Sequence, residues 1–162
     1  DYFVEAAKKV LRFEPNARFI IAGDGDMLPR MMNRVLELGM ASRFTFTGFL
    51  KGADVSRAYK MADVYVMPSV SEPFGLVALE AMQHDVPVIV SKTSGVAEVA
   101  SHTLKVDFWD VDGLAERIVS VLRHKALSHE LKVNGRAQVD RLTINEPARK
   151  VIDIYKTLGV AG

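Results

Sequence analysis

Three short runs constrain the fold more than any other feature of the chain: R-F-I-I-A at 18–22, D-V-Y-V-M at 63–67 and P-V-I-V-S at 87–91. Each is apolar at consecutive positions rather than alternate ones. A strand with that pattern needs cover on both faces, as in a parallel sheet flanked by helices. Helical patterns separate the runs: 2–11, with Phe3, Ala6, Ala7 and Val10 on one stripe; 27–38, with Gly39 as its stop; 53–61, with Asp54 as a candidate cap; and 75–84. A further strand is expected at 44–47, a helical turn at 96–100 and a last strand at 104–106. Three helices follow, at 111–124, 127–141 and 147–158. Strands alternating with helices predict the α/β class, a doubly wound parallel sheet with a helical C-terminal tail that packs on it or crosses to something else. The length suits one domain, 1–162, divided into an α/β core at 1–107 and a tail at 108–162.

Composition removes several function classes. The net charge of +1 supplies no electrostatic case for nucleic acid or an acidic membrane. The absence of cysteine excludes disulfides, zinc–thiolate sites and cysteine nucleophiles. No apolar run reaches membrane-spanning length, and the first residues do not read as a signal peptide, so a cytoplasmic location is the default expectation.

The stretch S-V-S-E-P-F-G-L-V-A-L-E-A-M, 69–82, carries the chemistry. It leaves the carboxyl end of the 63–67 strand, the edge at which open α/β sheets bind ligands. Gly75 stands at the start of the next helix, where backbone N–H groups are unpaired and the dipole is positive, which suits a diphosphate. Glu72 lies before that turn and Glu80 inside the helix. Carboxylates repel phosphate but accept paired hydrogen bonds from vicinal hydroxyls. A diphosphate with a polyol at each end, such as a nucleotide-sugar, fits the order acid, helix start, acid. Spacing alone leaves a plainer alternative open: Glu80 exposed and paired with His84, and Glu72 an ordinary loop acid.

S-x-x-E-P-F-G-L-x-x-L-E-A-M, followed by P-V-I-V-S and S-G-V-A-E-V, resembles the donor-binding C-terminal half of retaining GT-B glycosyltransferases of the group 1, family 4 type. Glu72 and Glu80 match their E-x7-E signature. A-G-D-G-D at 22–26, F-T-G-F-L at 46–50 and M-A-D-V-Y-V-M-P-S at 61–69 fall on further blocks of that family in order. The resemblance implies a hexosyltransferase that moves a sugar from a nucleoside diphosphate to an acceptor hydroxyl with retention. Glu72, the candidate catalytic residue, would then bond the donor sugar's hydroxyls. Phe74, Gly75 and Leu76 would present backbone groups to the sugar and diphosphate. Glu80 would hold the ribose, Phe49 and Leu50 would line the base pocket, and Gly23 and Gly25 would let backbone approach the donor. The favoured mechanism is a same-face displacement; a double displacement through Glu72 stays open. No cofactor or metal is implied, since the donor is a substrate.

The chain departs from the family's pattern in places. His84-Asp85 stands where a small residue and Gly are usual, so Asp85 is expected in a left-handed conformation. Ser94-Gly95 replaces a glycine pair. The family's first strand, with the Arg and Lys that follow it, has no counterpart, nor does the N-terminal acceptor domain. A gap is therefore expected beside the 63–67 strand, and the isolated chain is expected to be inactive. The implied partners are the nucleotide-sugar and that missing domain, with peripheral membrane association left open through the latter.

Other features have plainer readings. Asp24-Gly25-Asp26 spells D-x-D, but turns favour Asp for backbone reasons. The four histidines lack metal-ligand spacing. Met31, Met32 and Met40 read as core, Trp109 as a packing anchor, and Lys92 as a surface residue within reach of a phosphate. A non-catalytic nucleotide-binding module, an epimerase and a glycogen-synthase-like polymerase remain as alternatives.

Overall fold

The computed structural model describes residues 1–142 and 145–157. Its elements run α1 (Tyr2–Phe13), β1 (Phe19–Ala22), α2 (Leu28–Glu37), β2 (Phe44–Gly48), α3 (Ala53–Met61), β3 (Tyr65–Met67), α4 (Leu76–Gln83), β4 (Val88–Ser91), α5 (Val96–Val99), β5 (Leu104–Val106), α6 (Val111–Arg123), α7 (Lys125–Arg141) and α8 (Asn145–Thr157). The α/β alternation expected from the apolar runs is present, with every strand pair parallel. The last expected helix was to end at Leu158, which lies outside the described residues.

The strands form two sheets, β1–β2 and β3–β4–β5, rather than one. In a doubly wound order a central strand stands between the positions of β1 and β3, and among the described residues the ladder is interrupted there. Ile21 of β1 and Val66 of β3 nevertheless pack on one shared core. A cavity of about 550 Å³ opens at the amino ends of both strands, lined by Asn16 and Ala17 before β1, Asp63 before β3, and residues of α6 and α7. It lies on the opposite edge from the sequence motif.

The pleat of β4 explains the two-faced burial. Ile89 joins Val4, Ala7 and Val10 of α1 and Leu114 and Ile118 of α6. Val88 and Val90 point the other way, to Ala78, Ala81 and Met82 of α4 and Val139 of α7. Cover on both faces therefore holds at β4 but not throughout. In β1–β2 only one face is closed: Phe19, Phe44 and Phe46 enter the core, whereas Ile20 is 41% exposed and Thr45 and Thr47 face outward. The F-T-F-T alternation of β2 accounts for this, since half its side chains need no cover.

The tail packs on the core through two helices. α6 lies along α1, with Lys9 paired to Asp112 and Arg123 to Glu14 (2.6 Å). α7 lies against α4, where Gly135 faces Met82. Val151, Ile152, Ile154 and Tyr155 of α8 are exposed.

Local stops follow from residue type. Gly39 (φ 69°) ends α2 and Asp85 (φ 57°) follows α4, both left-handed as expected. Asp85 is the one non-glycine with positive φ among the described residues. The expected cap of α3 differs: Gly52 is the N-cap, and Asp54, two residues later, pairs with Arg57 at 2.7 Å. Gly52 has φ 53°, so the chain turns into the helix before Asp54 can reach the free N–H groups.

Candidate functional site

The site is built on the loop between β3 and α4. Four hydrogen bonds from the next strand and its loop hold that loop. Ser91 Oγ donates to the Ser69 carbonyl (2.6 Å), and Thr93 Oγ1 donates to the carbonyls of Ser69 (3.4 Å) and Val70 (3.2 Å). Gly95 N–H donates to the Glu72 carbonyl at 2.9 Å, forming an isolated parallel bridge between Glu72 and Ser94. The two sequence blocks 69–82 and 91–99 are therefore one structural unit.

Gly75 then takes a left-handed conformation (φ 96°, ψ 49°) as the N-cap of α4. A side chain there would meet Met67 Cε at 2.9 Å and Val96 Cγ1 at 3.0 Å, so both the turn and the packing call for glycine. The N–H groups of Gly75, Leu76 and Val77 meet no acceptor among the described residues, which leaves a helix start able to take an anion. The Phe74 N–H is different. It already donates to Glu72 Oε1 at 3.3 Å, so the expected diphosphate contact there is occupied by the chain's own carboxylate. The side chains of Phe74 (44%) and Leu76 (65%) are exposed around it.

Glu80 is held by a tyrosine, Tyr59, that sequence reasoning did not single out. The Tyr59 hydroxyl of α3 donates to Glu80 Oε2 (3.3 Å) and to the Val77 carbonyl (3.1 Å). The Tyr59 ring is buried, edge-on to Tyr65 (5.7 Å) and stacked on His84 (5.1 Å). Burial first, then Tyr65 and Glu80, raise the Tyr59 phenol above the ordinary tyrosine value. Tyr65 is pushed up to about 12 by burial and by the charges of Glu80 and Glu72. Both acids thus act on the one phenol. The signal for Tyr59 was available: a phenol among the inward residues of a helix needs a partner for its hydroxyl.

The plainer reading of Glu80 is corrected in one respect. His84 Nδ1 bonds the Glu80 main-chain carbonyl (2.8 Å), not its carboxylate, and Nε2 meets Ser56 Oγ (2.9 Å). A carbonyl only accepts, so Nδ1 carries the proton and Nε2 accepts from the serine.

Gly23, Gly25, Phe49 and Leu50 form a second group on the β1–β2 sheet. Gly23 N–H donates to the Gly48 carbonyl at 2.8 Å, joining the two loops. Gly23 (φ 132°) and Gly25 (φ 154°) both adopt conformations that other residues rarely take. Asp24 Oδ1 accepts from Gly25 N–H at 2.8 Å, the backbone role that turns favour. Phe49 is 72% exposed, with Lys51 Nζ 5.8 Å from its ring centre. Lys92, read as within reach of a phosphate, is paired to Asp107 at 2.7 Å. Trp109 is 54% exposed, and Phe108, between Trp109 and Tyr2, is the anchor instead. Met40 is core, whereas Met32 is exposed because it falls on the outer side of α2.

Comparison with known proteins bears on the family and the fold. The family model described as glycosyl transferases group 1 matches residues 1–138. The chain belongs to this family. An uncharacterised glycosyltransferase of Methanocaldococcus jannaschii is 34% identical over 161 residues, covering 96% of this chain and 41% of the relative. Sucrose-phosphate synthase from Thermosynechococcus elongatus superimposes with a TM-score of 0.81 at 29% identity, over 98% of this chain and 43% of that one. The C-terminal domain of a group 1 glycosyl transferase from Francisella tularensis gives 0.79 at 25% identity, over 88% and 78%. The fold of this group 1 glycosyltransferase chain is thus the Rossmann-like domain of the GT-B enzymes. It spans less than half the length of the curated relatives it matches. No helix among its described residues is long and apolar enough to cross a membrane.

Proposed function

We propose that this chain binds the donor of a retaining hexosyltransferase, with the nucleoside diphosphate laid across the start of α4. The observation that carries the reading is the free helix start at Gly75–Val77 between two carboxylates. The diphosphate takes the free N–H groups and the positive dipole end. Glu80 accepts hydrogen bonds from the ribose hydroxyls, and Glu72 from those of the sugar. Phe49 and Leu50 border the base, and the turns at Gly23 and Gly25 let the backbone approach the donor.

Chemistry follows from positioning and charge. The leaving diphosphate oxygen takes its electron pair as the sugar carbon–oxygen bond breaks, and the helix start stabilises the charge that develops. The acceptor hydroxyl attacks the same face and passes its proton to the departing phosphate. Glu72 orients the sugar, and its tether to Phe74 N–H keeps its carboxylate beside the reacting centre. Membership of the family and the Gly75 geometry support this reading over a plain nucleotide-binding module. By itself the chain binds donor weakly and transfers no sugar, because the ladder beside β3 is open and Lys92 is neutralised by Asp107.

Titration of the chain with UDP, GDP and ADP, followed by NMR shifts up to millimolar nucleotide, tests the site. Saturable binding of one nucleotide is expected. Glu80→Ala should weaken it about tenfold, as for a lost pair of charge-assisted hydrogen bonds with one exposed partner. Binding that is indifferent to Glu80 would place the nucleotide elsewhere.

A further inference from the structure

Glu80 sits on the exposed side of α4, and a free glutamate there samples several rotamers. A carboxylate that must meet two vicinal hydroxyls gains by being held in one of them, since ordering a long side chain at the moment of binding costs affinity. The neighbouring helix supplies the holder. Tyr59 is 8% exposed, and its ring is fixed on two sides by Tyr65 and His84. Its hydroxyl hydrogen is shared between Glu80 Oε2 and the Val77 carbonyl. Val77 belongs to the first turn of α4, beside the free N–H groups. One phenol therefore touches both the acid and the turn that carries the anion site.

The junction between α3 and α4 is fastened a second time. Ser56, three residues before Tyr59, bonds His84 Nε2, and His84 Nδ1 bonds the Glu80 carbonyl. Backbone and side chain of Glu80 are thus each tied to α3, by separate hydrogen bonds. Holding the backbone alone would preserve the helix; the bond to Oε2 has no helix-building role. A carboxylate has about four lone-pair sites, so one donated bond from Tyr59 leaves Oε1 and part of Oε2 for a ligand.

We propose that Tyr59 is a positioning residue for the nucleotide's ribose: its hydroxyl holds the Glu80 carboxylate in the rotamer that accepts the vicinal diol. This rests on the donor-site reading above. Its specific consequence is selective. Loss of the hydroxyl weakens binding of a ribonucleotide and leaves a nucleotide without ribose hydroxyls unaffected, because the diphosphate and base contacts do not pass through Oε2.

The experiment compares the tightest-bound of UDP, GDP and ADP with its 2′,3′-dideoxy counterpart on the parent chain, Tyr59→Phe and Glu80→Ala. Phenylalanine keeps the ring that stacks on His84 and meets Tyr65 edge-on, and thermal melting of each variant checks that the fold is kept. The expected result is a loss of about three- to tenfold for the ribonucleotide on Tyr59→Phe, with the dideoxy affinity unchanged. Glu80→Ala should show the same selectivity with a larger loss. Equal weakening of both nucleotides by Tyr59→Phe would mean that the tyrosine only supports the helix start, and would overturn the proposal. No change in either would overturn it as well. If Glu80→Ala is selective and Tyr59→Phe is not, the donor site stands and Tyr59 has no part in it. Absence of any nucleotide binding by the parent chain would remove the donor-site reading and the proposal together.

Discussion

Gly95 lies at the tightest point of the site. A Cβ there would fall 2.1 Å from the Pro73 carbonyl oxygen, against backbone that cannot swing aside as a side chain can. Its own φ of −58° is ordinary, so closeness rather than torsion demands the glycine. The expected glycine pair reduces here to one indispensable member. Ser94 is buried and turns its hydroxyl back to the Ser91 carbonyl at 2.7 Å, a role glycine could not fill. Gly95→Ala should therefore push the 91–95 loop off the 69–75 loop and cost about 1–3 kcal/mol, the range for overpacking. Ser94→Ala should cost about 1 kcal/mol, one hydrogen bond. Urea midpoints of the two variants check the order; a Gly95→Ala chain as stable as the parent would show that the loops part freely. At this scale Glu72, Gly75 and Glu80 were readable because each announces itself within one short stretch. Tyr59 showed that it needed a partner but not which one, because Glu80 is 21 positions away and only the packing of α3 on α4 brings them together. Trp109 misled for the opposite reason: its size suggested an anchor, yet its neighbour Phe108 took that place.

The elements were readable to the extent that their periods were clean. β4 is apolar at every position and buried at every position. β2 alternates and buries one face, and its partner β1 reads as a core strand yet leaves Ile20 41% exposed. The cap of α3 was misread because the positive φ of Gly52 is invisible in a pattern that points to Asp54. The pairing of α3 with β3 has an electrostatic consequence at high pH. An unfolded tyrosine loses its proton near 10, whereas folded Tyr65 holds it to about 12 and Tyr59 is raised as well. Between those values the unfolded chain has released protons that the folded chain keeps, so rising pH favours unfolding. The stabilisation is whole below pH ~10 and is lost as pH climbs to ~12, at about 1.4 kcal/mol per pH unit for Tyr65. Urea midpoints at pH ~9 and ~11.5 should fall steeply in the parent chain and less steeply in Tyr65→Phe. An identical slope in the variant would mean that Tyr65 titrates as an exposed phenol.

Over the whole molecule, the doubly wound class followed from the order of apolar runs, whereas the break between β1 and β3 is a matter of pairing that no single run reports. Two half-sheets share one core, through Ile21 on one side and Val66 on the other, but exchange no ladder hydrogen bonds. The candidate site inherits this division: the acids and the free helix start ride on β3 and α4, the glycine loop and Phe49 on β1 and β2. The break also sets how the molecule breathes. Val88–Ser91 is paired along both edges and sealed on both faces, so its amides open only when most of the chain does. Phe19–Ala22 is paired along one edge and half exposed, so it belongs to a unit that can open while the rest stays closed. Native-state hydrogen exchange should separate the two strands by at least about tenfold in protection, a gap of ~1.4 kcal/mol in opening free energy. Equal protection would mean that the two halves rise and fall as one cooperative unit, joined through α1 and α6 despite the missing ladder.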